Sequence, residues 1–148
     1  MRPIVLKARG LKKYYRSGEN VTKALDGIDM DISYGEFAAI VGTSGSGKST
    51  LLHMLGGLDS PTEGTVQVGD KELTSMNDEE LAVFRRRSIG FVFQQYNLVQ
   101  TLNVRENIVL PVLLDGGTID EDYCREIVTL LKIDEKLEQF PNRLSGGQ

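Results

Sequence analysis

Cysteine is almost missing from this chain: Cys124 stands alone. An intrachain disulfide is therefore excluded, and a reducing cytosol suits the protein. Cys124 itself reads as a small apolar residue on a helix. Long apolar runs are also missing, and none approaches the ~18 residues that would span a bilayer. The first residues, Met1-Arg2-Pro3-Ile4-Val5-Leu6-Lys7, lack the apolar core of a secretory leader. The expectation is a protein soluble by itself, reaching a membrane only through a partner. Basic excess is missing too. With 17 basic and 21 acidic residues the net charge is −4, so nothing global attracts nucleic acid or an anionic surface. No internal repeat or low-complexity tract is seen. The 148 residues suit one domain, which at this size can bury about two-thirds of its surface.

What is present centres on one stretch. The apolar run Phe37-Ala38-Ala39-Ile40-Val41 leads into Gly42-Thr43-Ser44-Gly45-Ser46-Gly47-Lys48-Ser49-Thr50. From Gly42 to Ser49 this matches G-x-x-x-x-G-K-[ST], and Ser49 to Leu55 reads as a helix. Polyphosphate needs many donors at short range. Gly42, Gly45 and Gly47 let backbone N–H groups approach closely and form an anion-binding nest. The positive end of the following helix adds to it. Lys48 is expected to reach the β- and γ-phosphates and Ser49 to give its hydroxyl to Mg²⁺.

Elsewhere the pattern is that of a mixed α/β domain. Residues 4–15 read as a strand and 17–20 as a turn. Leu25, Ile28, Met30 and Ile32 then alternate with Asp29 and Asp31, as in a half-buried strand. The unbroken run 37–41 predicts a parallel strand covered on both faces. Residues 65–69 suggest a further strand. Asn77 and Glu80 suggest a capping box opening a helix to about residue 88. That helix carries Arg85-Arg86-Arg87, read as a solvated end beside the negative helix terminus. Residues 89–93 predict a second short buried strand. Beyond Gln94 the chain turns helical. Asn103 and Glu106 suggest a second box, Pro111 a kink or an end, and Thr118 with Glu121 the start of a third helix. A short helical turn is expected between Asp134 and Phe140. The expected division is residues 1–94 and 95–148.

The chain ends in Leu144-Ser145-Gly146-Gly147-Gln148. With the glycine loop upstream and Phe93-Gln94 between, it resembles the nucleotide-binding domain of ABC transporters over its whole length. Residues 44–59, Pro61-Thr62-Glu63-Gly64 and 90–98 resemble one branch. That branch holds macrolide exporters, lipoprotein-release transporters, the cell-division pair and antimicrobial-peptide resistance pumps. The resemblance implies a P-loop NTPase fold with an N-terminal antiparallel β subdomain and a partial helical subdomain. It implies ATP and Mg²⁺ as ligands, held by the loop 42–50. Tyr15 matches the aromatic that stacks on adenine, with Tyr14 as the fallback and an ordinary strand tyrosine as the plain alternative. Gln94 matches the glutamine that joins the Mg²⁺ shell and senses the γ-phosphate. Lys48 and Gln94 are thus the catalytic candidates. Ser145, Gly146, Gly147 and Gln148 match the signature that closes over the ATP of a second, head-to-tail subunit. The implied partners are that second copy and a transmembrane permease gripped by the helical stretch. The implied location is the cytoplasmic face of the plasma membrane.

The resemblance also implies what this chain does not contain: a strand ending in Asp-Glu and a switch histidine. His53 follows the glycine loop on its helix and is no substitute. These residues are therefore expected to hold ATP but not to turn it over at a family-like rate. Strands from the further half are expected between 37–41 and 89–93, so a fragment would leave apolar edges unpaired. Two alternatives stand beside the transporter. A nucleic-acid-associated ATPase would need a basic surface or a heptad insertion after Gln94. A half-domain that only binds nucleotide is the other.

Overall fold

The computed structural model describes residues 2–147. The chain divides into two compact units, the first running to Ile89 and the second starting at Gly90.

The first unit is built on a long hairpin, β1 (Ile4–Ser17) and β2 (Asn20–Ser33). Helix α1 (Lys48–Leu55), strands β3 (Glu63–Val68) and β4 (Lys71–Glu72), and helix α2 (Asp78–Ser88) follow. The sheet is antiparallel in the order β2-β1-β3-β4. The alternation expected in β2 is present: Ile28, Met30 and Ile32 are half-buried while Asp29 and Asp31 are exposed. In β1 the phase shifts. Ala8 and Leu11 are both fully buried although three residues apart. Between them β1 advances one residue more than either neighbouring strand, which is a bulge. Gly10 sits in it at φ +55°, and its N–H donates to Asp29 Oδ1 at 2.7 Å. The bulge returns the apolar side chains to one face. There Ala8, Leu11, Leu25 and Val66 form one cluster with Leu51, Met54 and Leu55 of α1 and Leu81 and Phe84 of α2.

Two sequence expectations fail in this unit or at its border. Segments 37–41 and 89–93 were expected as buried strands, but neither forms a ladder among the described residues. Phe37 is 97% exposed and Val41 86%, with Ile40 alone of its run packed on the core. A strand exists only where neighbours take its amides and carbonyls, and no partner here does so. The Arg triplet is also more than a solvated end. Arg85 is half-buried and donates to the Gly57 carbonyl at 2.6 Å, tying α2 to the end of α1.

The second unit contains α3 (Val104–Leu114) and α4 (Glu121–Leu130), with short 3₁₀ turns at Asp134–Lys136 and Pro141–Arg143. Its buried apolar side chains are Val104, Val109 and Val128. Pro111 does not end α3, which runs on to Leu114. It removes only its own N–H, and the next turn closes normally on Asp115, Gly116 and Gly117. The cap of α4 is Asp120, whose carboxylate accepts the Tyr123 N–H, rather than Thr118. Asn107 organises the loop before α3. Its Oδ1 accepts the Val99 N–H, and its Nδ2 donates to the carbonyls of Val99, Leu102 and Asn103. Asn107→Leu should cost the second unit about 1–2 kcal/mol, because the Val99 N–H loses its side-chain acceptor and three carbonyls each lose a donor. Amide exchange at Val99 should accelerate; unchanged protection there would count against this role.

Candidate functional site

The glycine loop occupies residues 42–47 and delivers the chain into α1. Its carbonyl at Thr43 accepts the Ser46 N–H at 3.3 Å and the Lys48 ammonium at 2.7 Å. Lys48 Nζ also lies 3.4 Å from Ser46 Oγ. The lysine is therefore folded back over its own loop, where a bound anion would meet it. Gly47 caps α1 in the left-handed region at φ +87°. A Cβ placed there would lie 2.3 Å from the Ala24 carbonyl oxygen of β2. Sequence reasoning assigned this glycine to close approach of phosphate. The structure adds a second demand, close approach of the β2 backbone.

The end of α1 differs electrostatically from the other helix starts. The first helical bond is Leu51 N–H to Gly47 at 2.8 Å, so the amides ahead of it have no partner within the helix. No side chain caps them and no acidic residue sits in the first turn. By contrast α2 and α3 carry full capping boxes at Asn77 and Asn103, and α4 is capped by Asp120. The first amides of α3 are further occupied by the carbonyls of Gln139 and Leu137. Only α1 among the four described α-helices offers bare donors and an unneutralised positive end. Gly42, Thr43, Ser44, Gly45, Ser46 and Ser49 are exposed, while Gly47, Lys48 and Thr50 are half-buried.

The two tyrosines at the end of β1 are held differently. Tyr14 is half-buried, and its hydroxyl donates to Asp26 within the same hairpin. Tyr15 is exposed and donates to Asp59 Oδ2 at 3.3 Å. Asp59 follows α1. Burial opposes its ionisation, but Lys13, the Ser60 N–H and the Tyr15 hydroxyl hold its carboxyl below the usual carboxylate range. Neither Lys13 nor Asp59 was singled out in the sequence; the spacing Lys13-x-Tyr15, two side chains on one strand face, was the available signal.

In the second unit the structure brings Gln94, Ser145 and Gly146 to one cavity of about 720 Å³. Phe91, Phe93, Tyr96 and Leu144 also line it, and the two phenylalanine rings stack at 5.4 Å. A Cβ on Gly146 would come within 2.9 Å of the Tyr96 hydroxyl. Gly147 is exposed, and Gln148 lies outside the described residues.

A family profile described as ABC transporter matches residues 25–148. The chain belongs to the ABC transporter family. Its relatives in this family include a macrolide export ATP-binding/permease protein, MacB, from Nitrosomonas europaea. That protein is 43% identical over 99% of this chain and 23% of its own length. The lipoprotein-releasing system ATP-binding protein LolD from Chromohalobacter salexigens is 41% identical over 98% of the chain and 62% of its own length. Among solved structures, a dimeric ATP-binding cassette, MJ0796, bound to ADP and Pi superposes with a TM-score of 0.88. It is 40% identical, over 97% of this chain and 64% of that one. The same fold class is thus shown for this ABC chain: an α/β cassette with an antiparallel β subdomain. The chain spans less than two-thirds of the length of these relatives. MacB and LolD are named as transport components, and the nucleic-acid alternative is not favoured.

Among the described residues no helix is long and apolar enough to cross a membrane. Nor does any cluster of His, Cys, Asp and Glu there suit a metal ion. Mg²⁺ keeps several waters and is bound through substrate phosphates with one or two protein oxygens. The hydroxyl of Ser49, in the first turn of α1, is a suitable oxygen donor.

Proposed function

We propose that these residues form the ATP-binding part of a transport ATPase, with hydrolysis belonging to the longer cassette. The observation that carries this is the uncapped start of α1, with Lys48 folded across the loop in front of it. Loop amides from Gly42 to Gly45 and the first amides of α1 would take phosphate oxygens, with the Ser46 N–H joining them on release from Thr43, and Lys48 would neutralise the β- and γ-phosphates. Ser49 would donate a ligand to Mg²⁺. When bound, the cation would neutralise the phosphate oxygens and orient them. Thr50, in the same turn, would join the nucleotide contacts. Tyr15 would stack on adenine, since Tyr14 is committed to Asp26 within its hairpin.

Two features support assembly with partners. Gly146 and Gly147 carry no side chain and follow the hydroxyl-bearing Ser145, a sequence that suits capture of ATP held by a second copy, as a head-to-tail dimer requires. The second unit leaves Leu113 and Leu114 at the end of α3, and Leu130 and Leu131 at the end of α4, exposed, apolar side chains suited to contact with a permease. The protein would then sit at the cytoplasmic face of the plasma membrane through that permease. The relatives MacB and LolD are named for ATP binding, with macrolide export in the one and lipoprotein release in the other.

The test is calorimetric titration of the chain with ATP, with and without Mg²⁺. Ser49→Ala should leave metal-free ATP binding unchanged and abolish most of the Mg²⁺-dependent gain. If Ser49→Ala responds to Mg²⁺ as the parent does, Ser49 is not a metal ligand. For the dimer, the longer cassette should shift from monomer to dimer by light scattering when MgATP is added, and a shift that survives Gly146→Asp would overturn the role given to the signature.

A further inference from the structure

The contacts around Asp59 go beyond what the adenine assignment of Tyr15 requires. Lys13 is largely withdrawn from solvent, its side chain only 14% exposed. It donates to Asp59 Oδ1 at 2.7 Å and to the Ser60 carbonyl at 2.6 Å. The same Oδ1 accepts the Ser60 N–H at 2.7 Å, which leaves Oδ2 for the Tyr15 hydroxyl at 3.3 Å. Lys13 Nζ also lies 5.2 Å from the Tyr15 ring centroid. The ring is thus held at its hydroxyl and covered on one side by an ammonium group, yet Tyr15 remains 46% exposed.

The origin of Asp59 matters. Tyr14 finds its carboxylate on the adjacent strand, but Asp59 lies in the loop that ends α1. That loop is fixed by Leu58 N–H to His53 at 2.8 Å and Gly57 N–H to Met54 at 3.1 Å. Tyr15 is therefore referenced to the helix whose other end bears the phosphate site. We propose that Asp59, clamped by Lys13, is a positioning residue that presets the Tyr15 ring at a fixed distance from the phosphate loop to receive a purine base. This rests on the nucleotide assignment above. A ring ordered before binding loses less freedom when the base arrives, whereas a free one is ordered at the expense of affinity.

The experiment compares ATP with inorganic tripolyphosphate, which shares the phosphate chemistry and lacks the base. Asp59→Ala and Tyr15→Phe should each weaken ATP binding by about two- to tenfold, the range set by immobilising one side chain. Neither should alter tripolyphosphate binding. The double variant should bind ATP no worse than either single one, because both remove one contact. Tyr15→Phe with the parent's ATP affinity would overturn the inference, since its ring is intact and only the hydroxyl is lost. Equal losses for both ligands in Asp59→Ala would overturn it as well, by showing a merely structural role. Tyr15→Ala separates the two levels. A loss of ATP affinity there with none in Tyr15→Phe sinks the positioning role alone, while no loss in Tyr15→Ala removes the adenine assignment and the positioning role together.

Discussion

Lys48→Ala weakens ATP binding by about 30- to 1000-fold, equivalent to about 2–4 kcal/mol, while the melting temperature stays within a degree or two. The size follows from the charge. The β- and γ-phosphates carry several negative oxygens, and the ammonium group is the one cation the loop itself supplies. The insensitivity of stability follows from where the lysine is bonded. Its contacts are to Thr43 and Ser46 of an exposed loop, not to the hydrophobic cluster of the first unit. Tripolyphosphate should lose affinity by a similar factor, because the base takes no part. Calorimetric titration of both ligands reads the result. ATP binding unaffected by Lys48→Ala would place the nucleotide elsewhere and overturn the phosphate site.

Gly47→Ala has the opposite profile. It lowers the stability of the first unit by about 3 kcal/mol or more. One part is the left-handed backbone at φ +87°, which an L side chain adopts at a cost. The larger part is the Cβ placed 2.3 Å from the Ala24 carbonyl oxygen, a backbone atom that cannot swing away. For a unit of 60–100 residues this corresponds to a fall in Tm of more than about 12 °C. Gly45→Ala is the matched comparison. It has φ +78° but nothing within 4 Å of the added Cβ, so only the backbone term of about 1–2 kcal/mol remains. Differential scanning calorimetry separates them. Equal Tm values for the two variants would show that the contact between Gly47 and β2 is not what fixes the loop.

The two glycines illustrate how far the linear pattern reaches. The spacing from Gly42 to Ser49 identifies a phosphate loop because each demand is local: bare backbone, one ammonium group, a helix start. The capping boxes at Asn77 and Asn103 are legible for the same reason, since donor and acceptor lie three residues apart on one turn. The second duty of Gly47 is not legible, because Ala24 lies in another strand. Nor is the bulge at Gly10 legible as a phase shift, although a glycine inside a strand pattern is a hint.

The failed strands mark a different boundary. Phe37 to Val41 and Ile89 to Phe93 have the composition of buried strands. Composition sets a preference for a pleated, covered surface, but the ladder needs a neighbour to receive it. Among the described residues there is none, so both segments stay irregular and expose Phe37, Val41 and Val92. The caps of α1 and α3 show the converse. Both helices begin after a plausible polar turn. The fold occupies the amides of Val104 and Arg105 with carbonyls from residues 137–139, and leaves those at the start of α1 bare.

By itself, the order of residues determined the class of ligand, the family, the hairpin and the four α-helices, because those depend on contacts a few residues apart. Tertiary structure alone decided which helix start stays open to an anion, which of two adjacent tyrosines is tied to the phosphate-bearing helix, and which apolar segments go unpaired. Each of those depends on what a distant part of the chain brings within hydrogen-bonding reach, and separation along the chain carries no record of it.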